Sequence, residues 1–250
     1  MSRLRQILLS LLGEKKYLAL LASTFQRLLV AKRLGPFYQD IYFLKEMIAP
    51  GDYCADIGAH LGYYTIEMSR LVKDQGRVYA VEPMSKFYLT LQRLLRQRNC
   101  RNVELNQVAM GGDKEFVEMG IPNLGGMKKF GHARVQFEGS GLSYIDKEKV
   151  RNVSGDTFFE KIPRLDFIKC DVEGLEIPVF ASMLKTIELH HPTILCELGD
   201  KGDRIKLYEM LQPFGYEVFY LENKKLHKLD VHSDFRPVSH NHYFVSSRRL

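Results

Sequence analysis

Two carboxylates, a threonine, two glycines and a histidine cluster in the segments ADIGAHLGYYT (55–65) and VYAVEP (78–83). Each segment begins in an apolar, strand-like run, and the first leads into a helix-compatible one. In an α/β sheet, a loop at that junction lies where nucleotide-like ligands bind. The dinucleotide fingerprint places a second glycine where the chain meets a pyrophosphate. Here His60 stands at that position, between Gly58 and Gly62. An imidazole there argues against a pyrophosphate and suits a nucleoside ligand without phosphates, such as S-adenosylmethionine. Asp56 could then meet the ligand's ammonium group, and Gly58 would permit close approach of the chain. The free N–H groups at Gly62 and Tyr63 could take its carboxylate, and Thr65 adds a hydroxyl. Glu82, 24 residues beyond Gly58, stands where an acid commonly accepts both ribose hydroxyls. The plainer alternative is a structural strand–turn–helix with no ligand.

A second group of acids follows later strand-like runs: Asp171 and Glu173 in CDVEG, and Glu197 in TILCELG. If the strand persists, the period of two places Asp171 and Glu173 on one side. Methyl transfer from a sulfonium is an in-line displacement, in which the enzyme aligns the acceptor oxygen and removes its proton. Any of these three acids could be the general base or could orient the substrate. Converging carboxylates also suit magnesium or calcium, but no tight acidic ligand set is evident and no metal is expected. His132 and Tyr144, in a glycine-rich stretch, could reach over the cleft. His190 and His191, just before Pro192, read as a surface turn, and the eight histidines show no zinc spacing.

The elements that must position these groups alternate. DYCADIG, GRVYAVEP and NVELNQVAM read as strands, separated by the helical GYYTIEMSRLV and SKFYLTLQRLLRQRN. After residues 111–153, a loop-rich insertion with short strands at KEFVEM and ARVQFE, the alternation resumes. LDFIKCDVEG reads as a strand, EIPVFASMLKTIE as a helix and PTILCELG as a strand. A helix over Asp203–Leu211, then GYEVFYLE and NHYFVS, complete the chain. This order predicts a doubly wound, mostly parallel α/β sheet closed by an antiparallel C-terminal strand. A chain of 250 residues can bury about 70–75% of its unfolded surface, so one main domain over 49–250 is expected, preceded by a helical cap over 1–48.

The net charge of +6 is uneven: residues 1–35 hold seven cations against the single acid Glu14, which leaves six, the whole excess. The remainder is neutral, so a nucleic-acid partner is not expected. The two helical runs LRQILLSLLG and YLALLASTFQRLLVAKRL are too short and polar to span a bilayer. They could cap the cleft, rest on an anionic membrane surface or meet a partner. Four cysteines without a CxxC pair suggest free thiols and a reducing, cytoplasmic setting.

Read together, ADIGAHLGYYT, VYAVEP and DFIKCDVEGLE make the chain resemble the FkbM family of S-adenosylmethionine-dependent methyltransferases. The family's most distinctive signature, I-K-x-D-V-E-G-x-E, is matched from Ile168 to Glu176, with Cys170 and His60 as departures from the usual residues. The resemblance implies a class I methyltransferase fold of Rossmann type and S-adenosylmethionine as cofactor. It also implies O-methylation of a sugar or small natural product, with Asp56, Gly58 and Glu82 at cofactor contacts. Asp171, Glu173 and Glu176 match the acidic signature, and Asp171 stands both as a cofactor contact and as a candidate base. Alternatives are a cofactor-binding partner without activity, or a methyltransferase acting on a lipid or macromolecule.

Overall fold

The computed structural model describes residues 3–124, 127–128, 134–135 and 143–249. The chain opens with α1 (Arg3–Val30), which is broken at Gly13, where φ 71° and ψ 161° take the backbone out of helical space. A 3₁₀ turn (Pro36–Tyr38) and α2 (Gln39–Met47) follow. The alternating core then runs β1 (Tyr53–Ile57), α3 (Tyr63–Val72), β2 (Arg77–Val81), α4 (Ser85–Gln97) and β3 (Val103–Asn106).

The run expected as one strand over NVELNQVAM divides here. Its second half, β4 (Ala109–Met110), leaves the main sheet and pairs in parallel with β8 (Tyr144–Val153). Between them come β5 (Phe116–Leu124), β6 (Met127–Lys128) and β7 (Arg134–Val135), and the antiparallel β5–β8 pair is the backbone of this small second sheet. The insertion expected as loop-rich is therefore largely β structure where it is described.

The chain returns through α5 (Gly155–Phe159) and β9 (Phe167–Cys170). The single helix expected next is two short ones, α6 (Glu176–Ala181) and α7 (Leu184–His190), because Ser182 and Met183 interrupt it. Then follow β10 (Thr193–Glu197), α8 (Lys201–Leu211), β11 (Tyr216–Glu222), β12 (Lys225–Lys228) and β13 (Asn241–Ser246).

The main sheet has the order β12-β11-β13-β10-β9-β1-β2-β3. Strands β3, β2, β1, β9 and β10 are parallel. The last, β13, inserts antiparallel between β10 and β11, and β11 forms a further hairpin with β12. The central strands are buried on both faces, as parallel strands covered by helices must be. One face packs Phe159, Phe180, Met183 and Leu207; the other packs Leu44, Met68, Val72 and Tyr243.

Three further contacts shape the cleft. The inner side of α1 sets Tyr17, Leu18 and Ala22 against Leu61, Met84 and Phe87, next to the loops after β1 and β2. The small sheet is tied to the same region through Glu148, whose carboxylate accepts the Ser85 N–H and hydroxyl at the start of α4. The segment from Leu229 to His240 contains no helix or strand. Arg204 of α8, 1% exposed, nevertheless holds it by donating to the carbonyls of Val231, Ser233 and Phe235.

Candidate active site

The register of the sheet brings the separated motifs into one row. Ile57 is level with Val81 on one side and with Cys170 on the other, and Cys170 is level with Cys196. The next residues along these four strands are Gly58, Glu82, Asp171 and Glu197. They line the carboxyl edge of the sheet, where the chain turns from building outward through β2 and β3 to building the other way through β9 and β10. That is the topological switch point, the ligand crevice of doubly wound sheets.

The loop after β1 is built on alternating left-handed residues: Gly58 (φ 86°), His60 (φ 47°) and Gly62 (φ 78°). At Gly58 a side chain is doubly excluded, because a Cβ would fall into the backbone carbonyl of Asp171. The close approach that needs this glycine is thus one made by the chain itself. Asp56, 2% exposed, accepts the Thr65 hydroxyl and sits against the first turn of α3, so it caps that helix and fixes the loop. Burial, against the Thr65 hydrogen bond, lifts its carboxyl to about 6.

His60 contributes mainly its backbone. Its N–H donates to Glu82 at 2.8 Å, while the ring leans on Phe87, 4.2 Å between centroids. The second oxygen of Glu82 accepts the Met84 N–H, also at 2.8 Å. Glu82 thereby clasps the loops after β1 and β2, and burial raises its carboxyl to about 8 despite the two N–H bonds. Tyr63 stacks on Phe25 of α1 at 3.7 Å and stands edge-on to the His60 ring at 6.2 Å. Gln26 of α1 reaches the Gly62 carbonyl.

The acids after β9 and β10 surround a residue that sequence reasoning gave no role, Lys169. On the face of the sheet below α3, Asp56, Lys169, Leu195 and Tyr243 stand level on adjacent strands. Lys169 is 1% exposed, and its ammonium lies 3.7 Å from Asp171, 3.1 Å from the Cys170 carbonyl and 5.1 Å from the centre of the Tyr64 ring. Burial opposes its charge, but Asp171 and Glu197 outweigh that and hold the ammonium above its ordinary value. Glu197 is raised to about 8, first by burial and then by the neighbouring Asp171. Asp171, about a third exposed, is balanced by Lys169.

The remaining candidates divide. Glu173 sits half-buried on a left-handed turn (φ 57°) beside the cluster and adds to the field that raises Glu197. Glu176 turns inward instead, accepting the N–H groups of Val172 and Gly174, and so shapes the signature loop from within. Tyr144 lies in β8, its hydroxyl buried without a partner among the described residues. His132 lies outside the described residues. His191 is not at the surface: it is buried, stacks on Tyr216 and meets the Ser246 hydroxyl at 3.1 Å, at the opposite end of β10. Among the described residues no three His, Cys, Asp or Glu side chains are grouped to hold a metal ion.

Residues 56–229 match the Methyltransferase FkbM domain. The chain belongs to that family. That family is one of methyltransferases, for which S-adenosylmethionine is the implied methyl donor. A solved structure agrees on the class I fold. An FkbM methyltransferase from Methylobacillus flagellatus aligns with a TM-score of 0.51 and 16% identity, over 80% of this chain and 48% of that one. This chain therefore spans about half the length of that relative. A putative rRNA methylase from Clostridium thermocellum (TM-score 0.48, 13% identity) covers 84% and 94% of the two chains. An O-methyltransferase from Thermotoga maritima (0.44, 13%) covers 83% and 64%. No curated protein matches the sequence.

The site's donor set fits the methyl donor. Its side chains at the carboxyl edge are oxygen acceptors, Glu82 and Asp171 foremost, which suit ribose hydroxyls and an ammonium group. The single lysine of the row is buried among carboxylates and offers nothing to a pyrophosphate.

Proposed function

We propose that this chain transfers the methyl group of S-adenosylmethionine to a hydroxyl oxygen of a sugar or small natural product. The observation that carries the proposal is the Lys169–Asp171–Glu197 cluster, which stands beside the Gly58 loop at the switch point. The donor, when bound, supplies an electrophilic methyl carbon on a sulfonium. Glu82 holds the ribose from its position across the two loops, and Asp56 and Thr65 serve by fixing the loop that faces the methionine end. Asp171, the most exposed carboxylate of the cluster, takes the proton of the acceptor hydroxyl. Lys169 supplies the countercharge of Asp171 at 3.7 Å, and Glu197 stands beside the pair at the end of β10. A proton-accepting group placed in this way contributes about 10²–10⁴-fold to a transfer rate. The free state of all four cysteines supports a reducing, cytoplasmic setting.

The test is calorimetry with S-adenosylmethionine and its demethylated product on the wild type and on Glu82→Ala, followed by transfer of a labelled methyl group to a panel of hydroxylated acceptors. Both nucleosides should bind, and the substitution should weaken binding by about 1–3 kcal/mol, the cost of leaving buried hydrogen-bonding groups unpaired. Folded protein that binds neither compound would end this reading.

A further inference from the structure

The N-terminal helix has two faces, and the fold uses only one. Tyr17, Leu18, Ala22, Phe25 and Leu29 recur at helical spacing and are buried against α2, α3 and α4. The outer side is also apolar: Ile7, Leu20 and Leu28 are exposed, and Leu11 and Val30 are each 76% exposed. Interleaved with them are Lys15, Lys16, Arg27, Lys32 and Arg33, all exposed and none paired with a carboxylate among the described residues. The segment's single acid, Glu14, is turned aside and bonded to Lys86 at 2.5 Å. The whole net charge of the protein therefore lies within residues 1–35, where the exposed side of α1 is studded with leucine and valine.

We propose that this face of α1 seats the protein on an anionic lipid surface. Apolar side chains interleaved with lysine and arginine on the exposed side of helical segments, here those before and after Gly13, are the pattern of helices that lie in the headgroup region. No helix among the described residues is long and apolar enough to cross a membrane, so the helix lies on the bilayer rather than through it. A second copy of the chain is the poorer occupant, because pairing this face with itself would bring two clusters of like charge together. An anionic bilayer offers the opposite sign together with an apolar layer for Leu11 and Val30. The inference goes beyond methyl transfer and does not depend on it.

The experiment is sedimentation of the full chain with phosphatidylcholine vesicles, with and without phosphatidylserine. The wild type should sediment with the anionic vesicles and stay in solution with the neutral ones. Lys16→Glu/Arg27→Glu should lower partitioning by about tenfold or more, as expected for losing surface cations. Leu11→Ser/Val30→Ser should lower it several-fold. Both variants should melt with the wild type and bind S-adenosylmethionine equally well, which keeps this test separate from that of the methyl-transfer reading. Three results would overturn the proposal. The first is no sedimentation of folded protein with anionic vesicles at low salt. The second is sedimentation indifferent to either double substitution. The third is a dimer, seen by light scattering, that Leu11→Ser/Val30→Ser dissociates while vesicles go unbound; that would assign the face to a second copy.

Discussion

Replacing Glu82 by glutamine should flatten part of the protein's dependence of stability on pH. The side chain is 4% exposed and accepts two backbone N–H groups at 2.8 Å, and burial lifts its carboxyl from 4.5 to about 8. Between those values the folded chain holds a proton that the unfolded chain has released. The contribution of Glu82 to stability is therefore complete below 4.5 and is lost as pH rises through 8. The steepest slope for one such group is about 1.4 kcal/mol per pH unit, which caps the change between about pH 5 and pH 8 near 4 kcal/mol. Because the two N–H bonds favour the ionised form, about 2–4 kcal/mol is the expected range. The glutamine cannot titrate, and its amide group faces one of the two N–H donors, a cost of about 1–3 kcal/mol at every pH. Glu197 is raised as well but remains in both proteins, so its contribution largely cancels in the difference, whereas the charge of Asp56 is one of the causes that raise Glu82. Urea unfolding of both proteins at steps across this range supplies the two curves. The advantage of the wild type over the variant should shrink steadily as pH rises. A difference that stays constant, or that grows with pH, would refute the reasoning.

Two more substitutions probe the centre of the site. Lys169→Met removes the countercharge of Asp171; turnover with a labelled methyl donor should fall about 10²-fold or more, in the range of a lost proton acceptor. Donor binding measured by calorimetry should persist, and equal loss of binding and turnover would assign Lys169 a purely structural role. Gly58→Ala should lower stability by about 3 kcal/mol or more, since it combines a left-handed backbone with a collision at the Asp171 carbonyl. A melting temperature within a degree or so of the wild type would show that the loop yields there.

What could be read from the sequence was the carboxyl edge. Glu82, Asp171 and Glu197 each follow an apolar run, and apolar runs alternating with helical ones imply parallel strands whose ends lie side by side. The partners of those acids could not be read, because partnership depends on strand order. Lys169 looks like a stray cation in LDFIKCDV until β9 is placed between β1 and β10, level with Asp56 and Leu195. A lysine inside an otherwise apolar strand was the available signal, since burying that charge requires a compensating partner. Gly58 carries the same lesson in reverse: the need for glycine was visible, but the group that approaches it is the carbonyl of a residue more than a hundred positions away. The break in NVELNQVAM was hidden because β3 and β4 are equally strand-like and differ only in the sheet they join. His191 was misplaced because a histidine pair before proline resembles a turn, whereas the end of β13 folds over it and supplies Ser246.

The grip of Arg204 on the segment before β13 separates the path of that segment from its composition. The guanidinium holds the carbonyls of Val231, Ser233 and Phe235 and touches none of their side chains through these bonds. At the far end of the segment, the His240 carbonyl receives the Leu198 N–H, one residue past Glu197. A main chain clamped in this manner can exchange the side chains it displays without shifting its course. Residues whose side chains point outward in this segment, such as His232 and Arg236, can thus change without moving the main chain that leads to Leu198. The clamp itself has no such freedom, since even lysine at position 204 could not span three carbonyls with the planar fork of arginine.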